Sequence, residues 1–107
     1  MAQGQDPKVA VFVRDQLPRL RERFAPLRAI VFGSRARGDA LSTSDLDLIL
    51  VSPRFGSVPF LERPVLVLEA LDYVGGLELL CYTPEEFEKK REELGIVRVA
   101  VTEGIEL

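Results

Sequence analysis

Between Val31 and Leu50 the chain reads VFGSRARGDALSTSDLDLIL, and this stretch constrains the fold more than any other. Apolar Ala29, Ile30, Val31 and Phe32 predict a buried strand that stops at Gly33-Ser34. A small Gly-Ser pair at a strand end, with a short helix opening behind it, lets a phosphate approach free backbone N–H groups and the Ser34 hydroxyl. After ten intervening residues, Asp45 and Asp47 alternate with Leu46, Leu48 and Leu50. Strand geometry turns residues i and i+2 to one face, so both carboxylates look the same way, about 7 Å apart at Cα. Two like charges so placed raise one another's pKa unless a cation sits between them. Mg²⁺, which takes oxygen ligands and shares them with substrate phosphates, suits that position.

Other polar groups of this stretch divide by position. Arg35 and Arg37 lie just past Gly-Ser, where a guanidinium can fork onto triphosphate oxygens; the alternative is a pair of solvated arginines on a short helix. Asp39 and Ser42-Thr43-Ser44 shape the turn into the second strand, because short polar side chains bond the local backbone.

Gly33-Ser34, ten residues, then Asp45-x-Asp47 resembles the signature of the DNA-polymerase-β-type nucleotidyltransferase superfamily. With GSRARGDA after the first strand and a tail of YTPEEFEK and EGIEL, the chain is most similar to the minimal nucleotidyltransferases (MNT). These are stand-alone catalytic cores often encoded beside a HEPN-domain protein, as antitoxin and toxin. The resemblance covers the chain from about Leu27 onward. It implies an α/β (α+β) fold, a small mixed β-sheet flanked by helices, as one minimal nucleotidyltransferase domain over residues 1–107. It also implies Gly33, Ser34, Arg35 and Arg37 as nucleotide-binding positions, Asp45 and Asp47 as metal ligands, and Mg²⁺ with ATP as the working pair. Transfer of AMP to a hydroxyl of a HEPN-type toxin partner is the implied reaction, with an antitoxin that acts by binding alone as the alternative.

Nucleotidyl transfer needs a third acidic group, since one metal activates the attacking hydroxyl and another holds the triphosphate. The resemblance places it on the strand before YTPEEF, where this chain has Glu78 instead of the usual aspartate. Glu78 shares a strand face with Leu80 and Tyr82 and can point at the site if its strand lies beside the second. The alternative is a surface glutamate at a strand start. Asp72 and Glu69 are weaker candidates, both falling on a predicted helix.

Size and charge limit what else the chain can be. At 107 residues and 47% hydrophobic content it can bury one core, so partners must be met by the core's own surface. No apolar run approaches a membrane span or a signal-peptide core, which predicts a soluble, cytosolic protein. The single Cys81 reads as a buried small hydrophobe, and without histidine a zinc site is close to excluded. A net charge of −3 argues against bulk nucleic-acid binding, and the arginines Arg14, Arg19, Arg21, Arg23 and Arg28 read as the solvated side of a helix more readily than as a basic patch.

The remaining pattern predicts one helix over 7–24, capped by Asp6 with Pro7 at its first position and a kink at Pro18. Strands are expected at Leu27–Phe32, Asp45–Val51 and Leu77–Tyr82, and helices at Ser34–Ala40 and Phe60–Tyr73, the latter closed by Gly75-Gly76. Thr83-Pro84-Glu85-Glu86 is a capping box opening a helix to about Leu94. Residues 96–102 are β-branched enough for a strand, whereas the resemblance implies a helix ended at Gly104 and a short extended Ile105–Leu107.

Overall fold

The computed structural model describes residues 6–107; the part of the expected domain formed by residues 1–5 lies outside the described residues. Four strands make one mixed sheet in the order β3-β2-β1-β4. They are β1 (Arg28–Phe32), β2 (Leu46–Val51), β3 (Leu77–Tyr82) and β4 (Ile105–Glu106). β1 runs antiparallel to both β2 and β4, and β2 runs parallel to β3. Helices cover both faces. On the back, α1 (Pro7–Asp15), α2 (Leu17–Phe24) and α4 (Arg63–Ala70) bury Phe12, Leu20, Phe24 and Val67 against Val31, Leu48 and Leu50. On the front, α5 (Pro84–Glu92) and α6 (Ile96–Glu103) bury Phe87, Val97 and Ala100 against Ile30, Phe32, Ile49 and Val51. The short α3 (Ser34–Arg37) follows β1. Strand alternation therefore feeds two apolar layers, as the α/β reading requires.

Several boundaries differ from the sequence pattern, for local reasons. The single helix expected over 7–24 is two, because Pro18 has no N–H and would collide with the carbonyl four residues back. Pro18 instead stands in the first turn of a new helix that starts after Gln16. The Gln16 amide then ties this joint down, donating to the Asp72 carbonyl and accepting from the Asp72 N–H. The same tie holds Leu71 and Asp72 out of helical conformation, so α4 ends at Ala70 and Asp72 is not on it. Its start is a 3₁₀ turn, Phe60–Glu62, since Pro64 fits only a first helical turn. α3 stops at Arg37 because Gly38 takes a left-handed φ of 89°.

Elsewhere the pattern holds. Asp6 accepts from the Lys8 and Val9 amides as the α1 cap, and Thr83 and Glu86 form the reciprocal capping box of α5. Residues 96–103 are helical despite their β-branched content: Val97 and Ala100 put one face on the sheet, and Gly104 is pressed so closely against Val31 and Ile30 that a Cβ there would clash. The chain then returns along β1 as β4, with Arg28 and Glu106 paired at 2.9 Å.

Candidate active site

The end of the sheet where β1 exits and β2 and β3 enter gathers the acidic residues. Asp47 lies opposite Phe32 on one side and Glu78 on the other, all in register. Its side chain shares the front face with Ile49 and Val51, but beyond the reach of α5, so it lines an open cleft of about 290 Å³. Gly33, Arg37, Glu78 and the α6 residues Ile96, Val99 and Glu103 complete that cleft. Asp45 precedes β2 by one residue and is exposed.

Two glycines hold the aspartates. Gly33 has φ 75° and ψ −155°, a conformation open essentially to glycine alone, and a Cβ on it would run into the Asp47 carboxylate. Gly76 does the same for Asp45, whose carboxylate occupies the space a Cβ would need. The Leu46 amide donates to the Gly76 carbonyl at 3.0 Å, which fixes the approach of the two segments. The sequence pattern marks Gly75-Gly76 only as a helix end; the signal for more is a glycine directly before the strand that carries Glu78.

Burial pushes the Asp47 carboxyl above its ordinary value, Glu78 and Asp45 push it further, and Arg37 opposes them. That pattern belongs to oxygen donors sharing a space, the donor chemistry a hard divalent cation selects. Each glycine cradles one carboxylate, so it is the donor chemistry of Asp45, Asp47 and Glu78 that fits such an ion. Among the described residues no group of three acidic or cysteine side chains is yet gathered closely enough to enclose one.

The two arginines part company. Arg37 is exposed, pairs with Asp39 at 3.2 Å and faces the cleft. Arg35 is 4% exposed and turned away from it. Its guanidinium grips both Asp6 oxygens at 2.8 and 2.9 Å and donates to the carbonyls of Leu41, Ser42 and Ser44. Every donor is spent, so the expectation that Arg35 meets a triphosphate is corrected: it pins the turn that delivers Asp45. Ser44 shares in that turn, accepting from the Leu41 amide. Beside it, the Tyr73 hydroxyl is buried without a partner; burial raises its pKa, Arg35 counteracts, and Asp6 and Asp45 add to the rise.

The sequence model of the nucleotidyltransferase domain family matches residues 13–106. The chain belongs to that family. This nucleotidyltransferase also shares its fold with a crystal structure from Sulfolobus solfataricus, a protein itself provisionally assigned as a nucleotidyltransferase. The likeness has a TM-score of 0.58 at 24% identity and covers 84% of this chain and 70% of the other. Among curated proteins, no sequence matches. Within the described residues, no helix of the nucleotidyltransferase is long and apolar enough to cross a membrane.

Proposed function

We propose that the protein is an Mg²⁺-dependent nucleotidyltransferase that moves AMP from ATP to a hydroxyl of a partner protein, in a HEPN/MNT antitoxin setting. One observation carries this reading: Asp47 and Glu78 stand in register on neighbouring strands, facing a cleft whose rim includes Gly33 and Arg37. Asp45 and Asp47, with Glu78 beside them, are the residues that would hold Mg²⁺. Bound there, the ion would neutralise the triphosphate and lower the pKa of the attacking hydroxyl. Phosphate oxygens would meet the first-turn amides of α3, where Ser34 adds a hydroxyl, and Arg37 brings a positive charge to the same rim. The acceptor oxygen bonds to the α-phosphorus, the bond to the β-phosphate oxygen breaks, and pyrophosphate leaves. Glu78, exposed at the cleft, is placed to take the acceptor proton.

A second reading, an antitoxin that neutralises its partner by binding with the acidic site silent, is favoured by the open spacing of the three carboxylates. Labelled ATP separates the two. Transfer retains α-label and releases γ-label in pyrophosphate, and Asp45→Asn with Asp47→Asn abolishes it. Stoichiometric inhibition of a HEPN partner with no α-label transfer would refute the enzymatic reading.

A further inference from the structure

β3 is an edge strand, and only half of its outer edge is covered. The Leu46 amide bonds the Gly76 carbonyl and the Ser52 amide bonds the Tyr82 carbonyl, so the even-numbered residues of this stretch turn their backbone groups toward β2. Leu77, Leu79 and Cys81 therefore point theirs outward. Cys81 is closed off: its carbonyl accepts from the Arg63 guanidinium at 3.1 Å, and Cys81 and Tyr82 are buried. Leu77 and Leu79 have no such cover. They are only half-buried, and among the described residues no bond from outside the sheet reaches their amides or carbonyls. The segment has no proline, bulge or lysine to keep an open edge from pairing, and its single charge, Glu78, selects against an acidic partner strand.

We propose that this open edge, Leu77 to Leu79, is where an extended, basic segment of the acceptor protein adds as a further strand and presents its hydroxyl; the proposal deepens the transfer reading above and rests on it. A strand added at the usual spacing lies about 5 Å from β3 and about 10 Å from β2. Its front-facing side chain beside Glu78 then reaches into the cleft next to Asp47. Basic neighbours on that face meet Asp47, Glu78 and Glu103, while apolar ones on the other face continue the layer of Leu77 and Leu79. Four backbone bonds at about 1 kcal/mol net each make a weak, reversible dock, suited to a substrate that must leave. A second copy of this chain fits poorly, because pairing two β3 edges about a two-fold axis brings Glu78 against its own equivalent.

The probe is a nine-residue peptide alternating lysine and valine with a central tyrosine, serine or threonine, given with Mg²⁺ and α-labelled ATP. Binding is read from hydrogen exchange at the Leu77 and Leu79 amides, and transfer from the label. The expected result is slowed exchange at both amides, label on the central residue, and at least a tenfold loss of transfer in Leu79→Pro with ATP affinity unchanged. N-methylation of alternate peptide residues should abolish binding in one phase and spare it in the other. If Leu79→Pro does not fold, N-methyl-leucine at 79, introduced by ligation at the Leu80–Cys81 junction, removes the same amide and keeps the side chain. Slowed exchange without transfer supports the docking edge and overturns its role in presenting an acceptor. Transfer unaffected by loss of the Leu79 amide, peptides that leave both amides exchanging freely, or protection that instead rises with protein concentration, as a second copy would cause, overturns the proposal.

Discussion

Replacing Asp47 by asparagine should make the metal-free protein more stable and its metal response weaker. Asp47 sits directly across the parallel ladder from Glu78, and the strand spacing of about 5 Å sets the scale of the separation between their same-face carboxylates. At that distance the repulsion runs from about 0.8 kcal/mol in water to about 3 kcal/mol at an effective dielectric of 20. Glu78 is exposed, which favours the low end, so relief of about 1 kcal/mol is expected. For a domain of this size that is a rise of about 4 °C in Tm. The pH dependence has a definite sign. Burial, Glu78 and Asp45 raise the Asp47 pKa in the folded state, so folding is favoured while the group is protonated. This contribution is complete below the ordinary aspartate range and disappears as pH climbs through the raised folded value. The stability gap between variant and wild type should therefore widen from acid toward neutral pH. Mg²⁺ at a hundredfold over its dissociation constant should add about 2.7 kcal/mol to the wild type and much less to the variant. Thermal melts with and without EDTA across pH 3.5–7.5 are the assay. A variant less stable than wild type in EDTA at neutral pH would refute the like-charge account of the site.

Gly33→Ala should cost about 1–3 kcal/mol from its φ of 75° and displace the Asp47 carboxylate, whereas Gly76→Ala, at an ordinary φ, should spare the backbone and disturb only Asp45; urea melts and Mg²⁺ calorimetry distinguish them. Arg35→Met should lose about 3 kcal/mol, because it strands the nearly buried Asp6 carboxylate and three loop carbonyls, and Asp6→Asn in the same chain should recover part of that in urea melts. Cys81 is fully buried with its thiol pushed up to about 12, so Ellman's reagent should leave it untouched until the protein unfolds.

What could be read from sequence was whatever a short period encodes. Alternation in DLDLIL predicted a strand, and β2 is there with Asp47 on its front face and Asp45 one residue before it, while TPEE gave a capping box, because each depends on residues within four positions. Proline positions were visible but their outcome was not. Pro18 could kink a helix or begin one, and the choice was made by Gln16 bonding Asp72, a contact 56 residues away in sequence. Arg35 and Arg37 illustrate the same limit within one turn. They are two apart and chemically identical, yet the four-residue helix points one at Asp6 and turns the other to the cleft, paired with Asp39, and nothing local says that Asp6 would be there. The family of the chain was legible because its signature is a spacing. Glu78's register with Asp47 was conditional on the order of the strands, which no pattern in the chain determines.

Gly33 and Gly76 show why glycine was harder to read than aspartate. A glycine at a strand end predicts a turn whether or not anything occupies the space its missing side chain leaves. Here both spaces are filled, one by each site aspartate, so the backbone itself forms the wall against which the carboxylates rest. That wall steadies Asp45 and Asp47 without long side chains, and it leaves the rest of the positioning to Arg35, which pins the turn before Asp45, and to the β2–β3 ladder beside Asp47. Glu78 has no glycine opposite it and is the most solvent-exposed carboxylate on the ladder. Its longer side chain is therefore not held against a backbone wall as the two aspartates are.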